Sequence, residues 1–353
     1  MEKISGILKE DLEYTFEKLS GAEVHKMKNS TLLLTGCAGF TGYYLIHFFR
    51  YYADRLNLKK IICLDNFMCG RPEWLDNIED ERFIVKAFDI TNDRIEEIDG
   101  SENVDFVIHM ESAVLHIRPI ESVDAEIWGL RKLLDFYAEK KLKGFLYFSS
   151  SSLYGEIISD AVPVDEEYKG FVSATGKRAY QDEAKRFGET LCMLFANQYH
   201  MPIGVARPFN HYGPGMELDS RDICAGFAKK ISEGKDIVIY SNEIPTGTFC
   251  YIADAAAGYL KILLYGKYDY FNIGIDKPEI TEANLAKIYE DAGREIFGYE
   301  GKVVCKISEY WKNAPERKFP KTDKARRLLE YDPEIYARQG VYRFLRFIKE
   351  NIT

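Results

Sequence analysis

Short, nearly unbroken apolar runs recur along the chain, and several are separated by stretches whose apolar residues return every third or fourth position. The segment "STLLLTGCAGFTGYYLIHFFRYYA" (30–53) predicts a buried strand, a glycine turn and a helix. "KKIICLDN" (59–66), "RFIVKAFDIT" (82–91), "VDFVIHME" (104–111), "KGFLYFSSSSLYGE" (143–156) and "MPIGVARPFN" (201–210) predict five more strands. Helical spacing falls between several of them, over about 40–56, 121–141 and 176–199. Strands alternating with helices indicate an α/β fold with a doubly wound parallel sheet. The apolar character of the strands agrees, because such a sheet is covered on both faces. Ahead of it, Ile4, Leu8, Leu12, Phe16 and Leu19 predict an amphipathic helix with Gly21 as its stop. That helix is expected to pack on the main body or on a partner subunit. After about residue 209 the pattern loosens and turn signals multiply ("YGPG", "SNEIPTGT", "GIDKP"), which suggests a smaller second domain.

Composition narrows the classes. The 353 residues suffice for one large α/β domain or two smaller ones. A formal charge of -9 without any dominant Lys/Arg block argues against nucleic acid as a partner. Seven cysteines lack CxxC or CxxH spacing, so they read as reduced core thiols of a cytoplasmic protein and no metal site is expected. Acidic residues interrupt every apolar run of the N-terminus, which excludes a signal peptide. No run approaches the ~18 apolar residues of a membrane span.

Gly36, Gly39 and Gly42 lie directly between the first strand and its helix. Glycines in that place permit a tight turn, let the backbone approach a pyrophosphate, and allow close helix–strand packing. The helix N-terminus then offers N–H groups and the positive end of its dipole to phosphates. Asp65, at the end of the second strand, can accept from a ribose 2′-hydroxyl and would repel a 2′-phosphate, which favours NAD over NADP. Asp89 ends the third strand; its carboxylate either meets an adenine amino group or caps a turn with Thr91.

These residues, with "FSSSSLYGE", "ARPFNHYGPG", "FNIG" and "ERKFPKTDKARRLLEYDP", resemble the extended short-chain dehydrogenase/reductases that epimerise, dehydrate or decarboxylate nucleotide sugars. "TGCAGFTG" is similar to the family's TGxxGFxG, and the likeness runs from about 30 to 348. "LDNFMCGRPEWL" and the C-terminal stretch look most like UDP-glucuronate decarboxylases. The resemblance implies an N-terminal extension (1–29) and a Rossmann-type NAD-binding domain (30–208, with about 236–256 returning to it). It implies a smaller C-terminal α/β domain for the substrate over 209–353. It implies NAD as cofactor, a nucleotide-diphosphate sugar as substrate, and a homodimer built from helices near 121–141 and 177–199. It further implies that NAD takes hydride from C4 of the sugar, that a tyrosinate takes the hydroxyl proton, and that a lysine lowers that tyrosine's pKa. Phe40, Thr41, Asn66, Ile90 and Met110 fall with Gly36, Gly39, Gly42, Asp65 and Asp89 on the cofactor side. Ser150 falls on the catalytic Ser/Thr, Lys185 on the lysine, and Asn210 on the asparagine that approaches the diphosphate. His211 follows Asn210 as a further substrate contact, and Arg317 falls near a phosphate-binding arginine.

Four departures gather at the chemistry. Four residues before Lys185, where the tyrosine belongs, stands Gln181; Tyr180 is one position early. Either a one-residue π-bulge between 180 and 185 realigns Tyr180, or Tyr180 only packs. Ser151 and Ser152 replace the carboxylates that dehydratases and decarboxylases carry after the Ser/Thr, whereas a 4-epimerase needs neither. Glu111 stands where a small residue usually lies, as a substitute acid/base or as the partner of a cation. Gly247 replaces an arginine that clamps the nucleotide. Tyr180, Glu111 and His211 are thus the candidates for the missing base. The expected activity is C4 oxidation followed by epimerisation or decarboxylation; the alternatives are a non-catalytic nucleotide-sugar binder and a dehydrogenase of another nucleotide-linked alcohol.

Overall fold

The structure, a computed structural model, describes residues 4, 6–110, 118–176, 178–240, 246–306 and 317–352. Two helices, α1 (Gly6–Glu17) and α2 (Gly21–Met27), precede β1 (Thr31–Thr35). Then come α3 (Phe40–Leu56), β2 (Lys60–Asp65), the single turn α4 (Glu73–Asp76), β3 (Phe83–Ala87) and β4 (Phe106–His109). Helix α5 (Pro119–Asp124) runs through a π turn at Ala125–Gly129 into α6 (Leu130–Tyr137). Strand β5 (Gly144–Phe148), helix α7 (Ala179–Tyr199) and strand β6 (Ile203–Pro208) follow. The second half holds β7 (His211–Tyr212), α8 (Ile223–Ser232), β8 (Ile237–Ile239), β9 (Thr246–Gly247), β10 (Cys250–Tyr251), α9 (Ile252–Tyr265) and β11 (Asp269–Ile273). Strand β12 (Ile280–Thr281), α10 (Glu282–Phe297), β13 (Val303–Cys305), β14 (Arg317–Lys318), α11 (Asp323–Leu329) and α12 (Ala337–Ile352) complete it.

Among the described residues seven strands form one parallel sheet, in the order β11-β6-β5-β4-β1-β2-β3. The connections run outward in opposite directions from the neighbouring strands β1 and β4. A crevice therefore opens at their C-terminal ends, where Thr35 pairs with both Leu64 and His109. Every residue of β1 and of β5 is buried, as a sheet covered on both faces requires. The six strands read from apolar runs are all present. The seventh, β11, joins the edge beside β6.

Two expectations need correction. The chain re-enters the sheet through α9 and β11 (252–273) and not over 236–256, because β8 pairs with β13 and β10 with β7, in separate two-stranded units. Gly21 is the first residue of α2 and not merely a stop. The preceding Ser20 forms a reciprocal capping box with Glu23.

Helix α1 packs on the main body, against α9 and α12. Asp11 accepts from Tyr251 at 2.5 Å and from Arg343 at 2.6 Å, and Thr15 donates to the Ala253 carbonyl at 3.0 Å. Burial pushes the Asp11 carboxyl up to about 6, although the Arg343 guanidinium opposes the shift.

Candidate active site

The cleft begins at the glycine turn. Gly36 adopts φ +68, and a Cβ on Gly42 would lie 2.2 Å from the Cys37 carbonyl oxygen, so α3 starts tight against the turn. The N-cap of α3 is Gly39, with no side chain to occupy the first-turn N–H groups. Such a helix start is suited to a phosphate. Asp65 ties the turn to the end of β2: its carboxylate accepts from Ala38 N and from Phe67 N, each at 2.9 Å. Gly36, Gly39, Asp65, Asn66 and Met110 line a cavity of about 340 Å³. Met110 and Ser122 also line a second cavity of about 250 Å³, which holds Thr41, Ser150, Tyr180, Gln181 and Lys185. The two cavities thus adjoin, with Met110 and Ser122 in the linings of both.

At the far end, Lys185 lies on α7 and is buried. Its ammonium donates to the Phe148 carbonyl at 2.8 Å and forms an ion pair with Glu126 at 2.5 Å. Glu126 is 2 % exposed, lines the same cavity, and accepts from the Tyr147 hydroxyl at 3.3 Å. Burial raises its carboxyl pKa, while Lys185 and Tyr147 oppose the shift. Behind it, burial and the nearby Lys185 charge push His109 down to about 3, so that imidazole is neutral. Ser150 caps a short turn, accepting from Ser152 N at 3.1 Å. The buried hydroxyl of Ser149, on the cavity wall, finds no hydrogen-bond partner among the described residues. An orphaned hydroxyl there suits a polar ligand.

The tyrosine question resolves differently from the bulge expectation. Helix α7 is α-helical throughout Ala179–Tyr199, and the π turn lies instead at Ala125–Gly129, in the facing helix. Gln181 keeps the slot one turn before Lys185 and is buried. Tyr180 sits in the first turn of α7 and reaches the same cavity without a bulge; the Gln181 side-chain amide donates to its hydroxyl at 2.9 Å.

Other predicted residues are positioned as follows. Glu111 lies outside the described residues. Asp89 spends its carboxylate on its own turn, accepting from Thr91 N, the Thr91 hydroxyl and Asn92. These bonds outweigh desolvation and hold its pKa below the usual value. Ile90 packs beside Gly129, where a Cβ would meet it at 2.5 Å, and does not line the cleft. Phe40 and Gly42 belong to the first turn of α3. Asn210 takes a left-handed conformation (φ +46) and donates to the Thr248 carbonyl at 3.0 Å. His211 engages both ring nitrogens, with Ile273 O at 3.0 Å and the Tyr259 hydroxyl at 2.5 Å. Burial pushes its pKa down to about 4. Packing accounts for His211, and it is not free to serve as a base. Arg317 makes a two-pronged pair with Glu279 at 2.7 and 2.8 Å. Its neighbour Lys318 pairs in register with Gly247. Burial and the Arg178 guanidinium push the Lys318 ammonium down to about 8, with Asp182 opposing.

Glu126, like Arg178 on the same wall, is a cavity-lining residue that sequence reasoning missed. Its signal was present: Leu130, Leu133, Leu134 and Tyr137 follow at helical spacing and are all buried, so Glu126 is a carboxylate on an apolar face.

The sequence model of the NAD dependent epimerase/dehydratase family matches residues 32–274. UDP-glucuronic acid decarboxylase 6 of Arabidopsis thaliana is 26% identical over 321 residues, covering 89% of this chain and 87% of that protein. In structure, UDP-glucose 4-epimerase of Thermotoga maritima, solved with UDP-glucose, superposes with a TM-score of 0.77 at 22% identity, over 92% of this chain and all of that one. UDP-glucuronic acid 4-epimerase of Bacillus cereus, solved with NAD, gives 0.71 at 22%, over 92% of this chain and all of that one. With a glycine turn beside Asp65 at the strand ends, the chain belongs to the NAD-dependent epimerase/dehydratase family, and NAD is its cofactor.

Proposed function

We propose that this protein oxidises the C4 hydroxyl of a nucleotide-diphosphate sugar and then reduces the ketone from the opposite face, as a 4-epimerase. The observation that carries this reading is the pair of adjoining cavities, one lined by Gly36 and Asp65 and the other by Ser150 and Lys185, with Met110 and Ser122 in both linings. Gly36, Gly39, Asp65, Asn66 and Met110 hold NAD, which when bound supplies the hydride acceptor. Ser150 and Lys185 bind the reacting hydroxyl. Asn210 approaches the diphosphate. Lys318, opposite Gly247, and Arg178, on the cavity wall, supply the cations that position 247 lacks. Two cations that crowd each other favour an anion between them.

Epimerisation is preferred over dehydration because Ser151 and Ser152 offer no carboxylate beside Ser150. Decarboxylation follows in rank, supported by the decarboxylase relatives. Gln181 favours a second reading, a nucleotide-sugar binder without turnover, since an amide cannot act as a base at useful pH. Exposed Trp128, Phe187 and Leu194, on the π turn and α7, support a homodimer through these helices. Seven free thiols, five of them buried, support a cytoplasmic setting. The test is incubation of the purified protein with UDP-, GDP-, CDP- and dTDP-sugars and analysis of the products. A C4 epimer from one of them is expected. A pentose product would establish decarboxylation instead, and tight binding without any product would establish the binder.

A further inference from the structure

Resting on the proposed sugar oxidation, we infer that Lys185 and Glu126 together are the acid/base of this site, doing the work that a tyrosine at 181 would do. Three features make the pair a built arrangement. First, the π turn at Ala125–Gly129 carries Glu126 in the wall of the cleft, where its carboxylate meets the Lys185 ammonium at 2.5 Å. Second, the carboxylate is backed by Tyr147, which reaches it only because residue 188 is glycine. A Cβ at Gly188 would lie 2.1 Å from the Tyr147 hydroxyl oxygen. Third, Gln181 fills the usual base position with an amide, so the proton needs another acceptor within the same cavity.

The chemistry balances within the pair. Burial penalises both charges of the Lys185–Glu126 pair, which meet at 2.5 Å. The Lys185 ammonium passes a proton to Glu126 Oε1, which leaves a lone pair on Nζ. The substrate hydroxyl gives its proton to that nitrogen as the C–H electron pair leaves with its hydrogen, as hydride, to the nicotinamide. The oxidation step ends with Lys185 as ammonium and Glu126 as neutral acid; the reduction step reverses each transfer. Lys185 is then the catalytic group and Glu126 stores the proton behind it. Pairing with a carboxylate also offsets the lysine's charge, so Lys185 would be a poor activator of a tyrosinate. The Gln181 amide and the Glu126 carboxylate thus belong together.

The test compares Glu126→Gln, Glu126→Asp and the double variant Glu126→Gln/Gln181→Tyr with the parent protein. Turnover of the accepted nucleotide sugar and calorimetric affinity for NAD are both measured. Glu126→Gln should lose about 100-fold or more in kcat, the scale of general acid–base catalysis, with NAD affinity unchanged. Glu126→Asp should keep part of the rate, and the tyrosine of the double variant should restore part of it. Full activity in Glu126→Gln would overturn the inference while leaving the sugar oxidation intact. So would an equal loss in NAD affinity without rescue by either Asp or Tyr, which would mark Glu126 as a packing residue. A parent protein that binds sugar nucleotides but never turns them over would fail the functional reading itself, and the inference with it.

Discussion

The side-chain amide of Gln181 donates a hydrogen bond to the hydroxyl of Tyr180 at 2.9 Å, and both residues line the cavity that holds Lys185. The residue in the tyrosine position and the displaced tyrosine are therefore neighbours in one wall.

If Tyr180 were the base, Tyr180→Phe would cost as much as any acid/base deletion. With Lys185 and Glu126 in that role, Tyr180→Phe removes one hydrogen-bond acceptor near the substrate. Its loss in kcat should be about 10-fold or less, the scale of one neutral hydrogen bond, and clearly smaller than that of Glu126→Gln. Steady-state kinetics of the two variants side by side check the order.

Asp65 accepts from two backbone N–H groups, and in the proposed reading it stands at the ribose end of NAD. A 2′-phosphate would meet this carboxylate, so NADP should bind far more weakly than NAD. Asp65→Ser should narrow the gap by weakening NAD and relieving the repulsion of NADP. Calorimetric titration with both dinucleotides measures it.

Gly188→Ala would drive a methyl group to 2.1 Å from the Tyr147 hydroxyl oxygen. The tyrosine or the helix must move, at a cost of about 1–3 kcal/mol for overpacking. A lowered urea midpoint is expected. Gly188→Ala/Tyr147→Phe removes the nearest atom but leaves the ring carbon Cζ at 2.7 Å, so it should recover only part of the loss.

His47 is buried between Tyr43 and Trp74, with Nδ1 bonded to the Tyr43 carbonyl at 2.8 Å. Burial pushes its pKa down to about 4 from an ordinary 6.5, and nearby Arg50 adds a smaller push. The unfolded chain therefore binds a proton there that the folded chain does not, between pH 6.5 and 4. Stability contributed by neutral His47 is fully present above 6.5 and is lost as pH falls through that window, at up to about 1.4 kcal/mol per pH unit. The difference in stability between the parent and His47→Gln should shift against the parent by that slope. Urea melts at several pH values read it directly.

Five of the seven strands were legible because a sheet covered on both faces demands apolar runs; β3, with no fully buried residue, was legible from its apolar and β-branched Phe83, Ile84 and Val85, and the glycine turn from its place between strand and helix. Strand β11 was less so: Asp269 and Asn272 interrupt its apolar residues, so it shows no unbroken apolar run. The two-residue strands β7, β9, β10, β12 and β14 are too short to show any period. Sequence spacing identified Gln181 as the departure but could not reveal its compensation. Glu126 lies 59 positions from Lys185 and meets it only through the fold. The π turn was sought in α7, where the tyrosine was out of phase, and occurs in the facing helix. Likewise, Lys318 acquires its meaning from a strand register that sets it opposite Gly247.

The most direct test is the absorbance of the NAD-loaded protein at the reduced-nicotinamide band on rapid mixing with each nucleotide sugar, followed by product analysis. The account predicts that one sugar makes the band rise and then decay as its C4 epimer appears, and that Glu126→Gln suppresses the rise. Calorimetrically tight sugar binding with neither band nor product across the panel would contradict it, and would make Gln181 the mark of a protein that binds nucleotide sugars without transforming them.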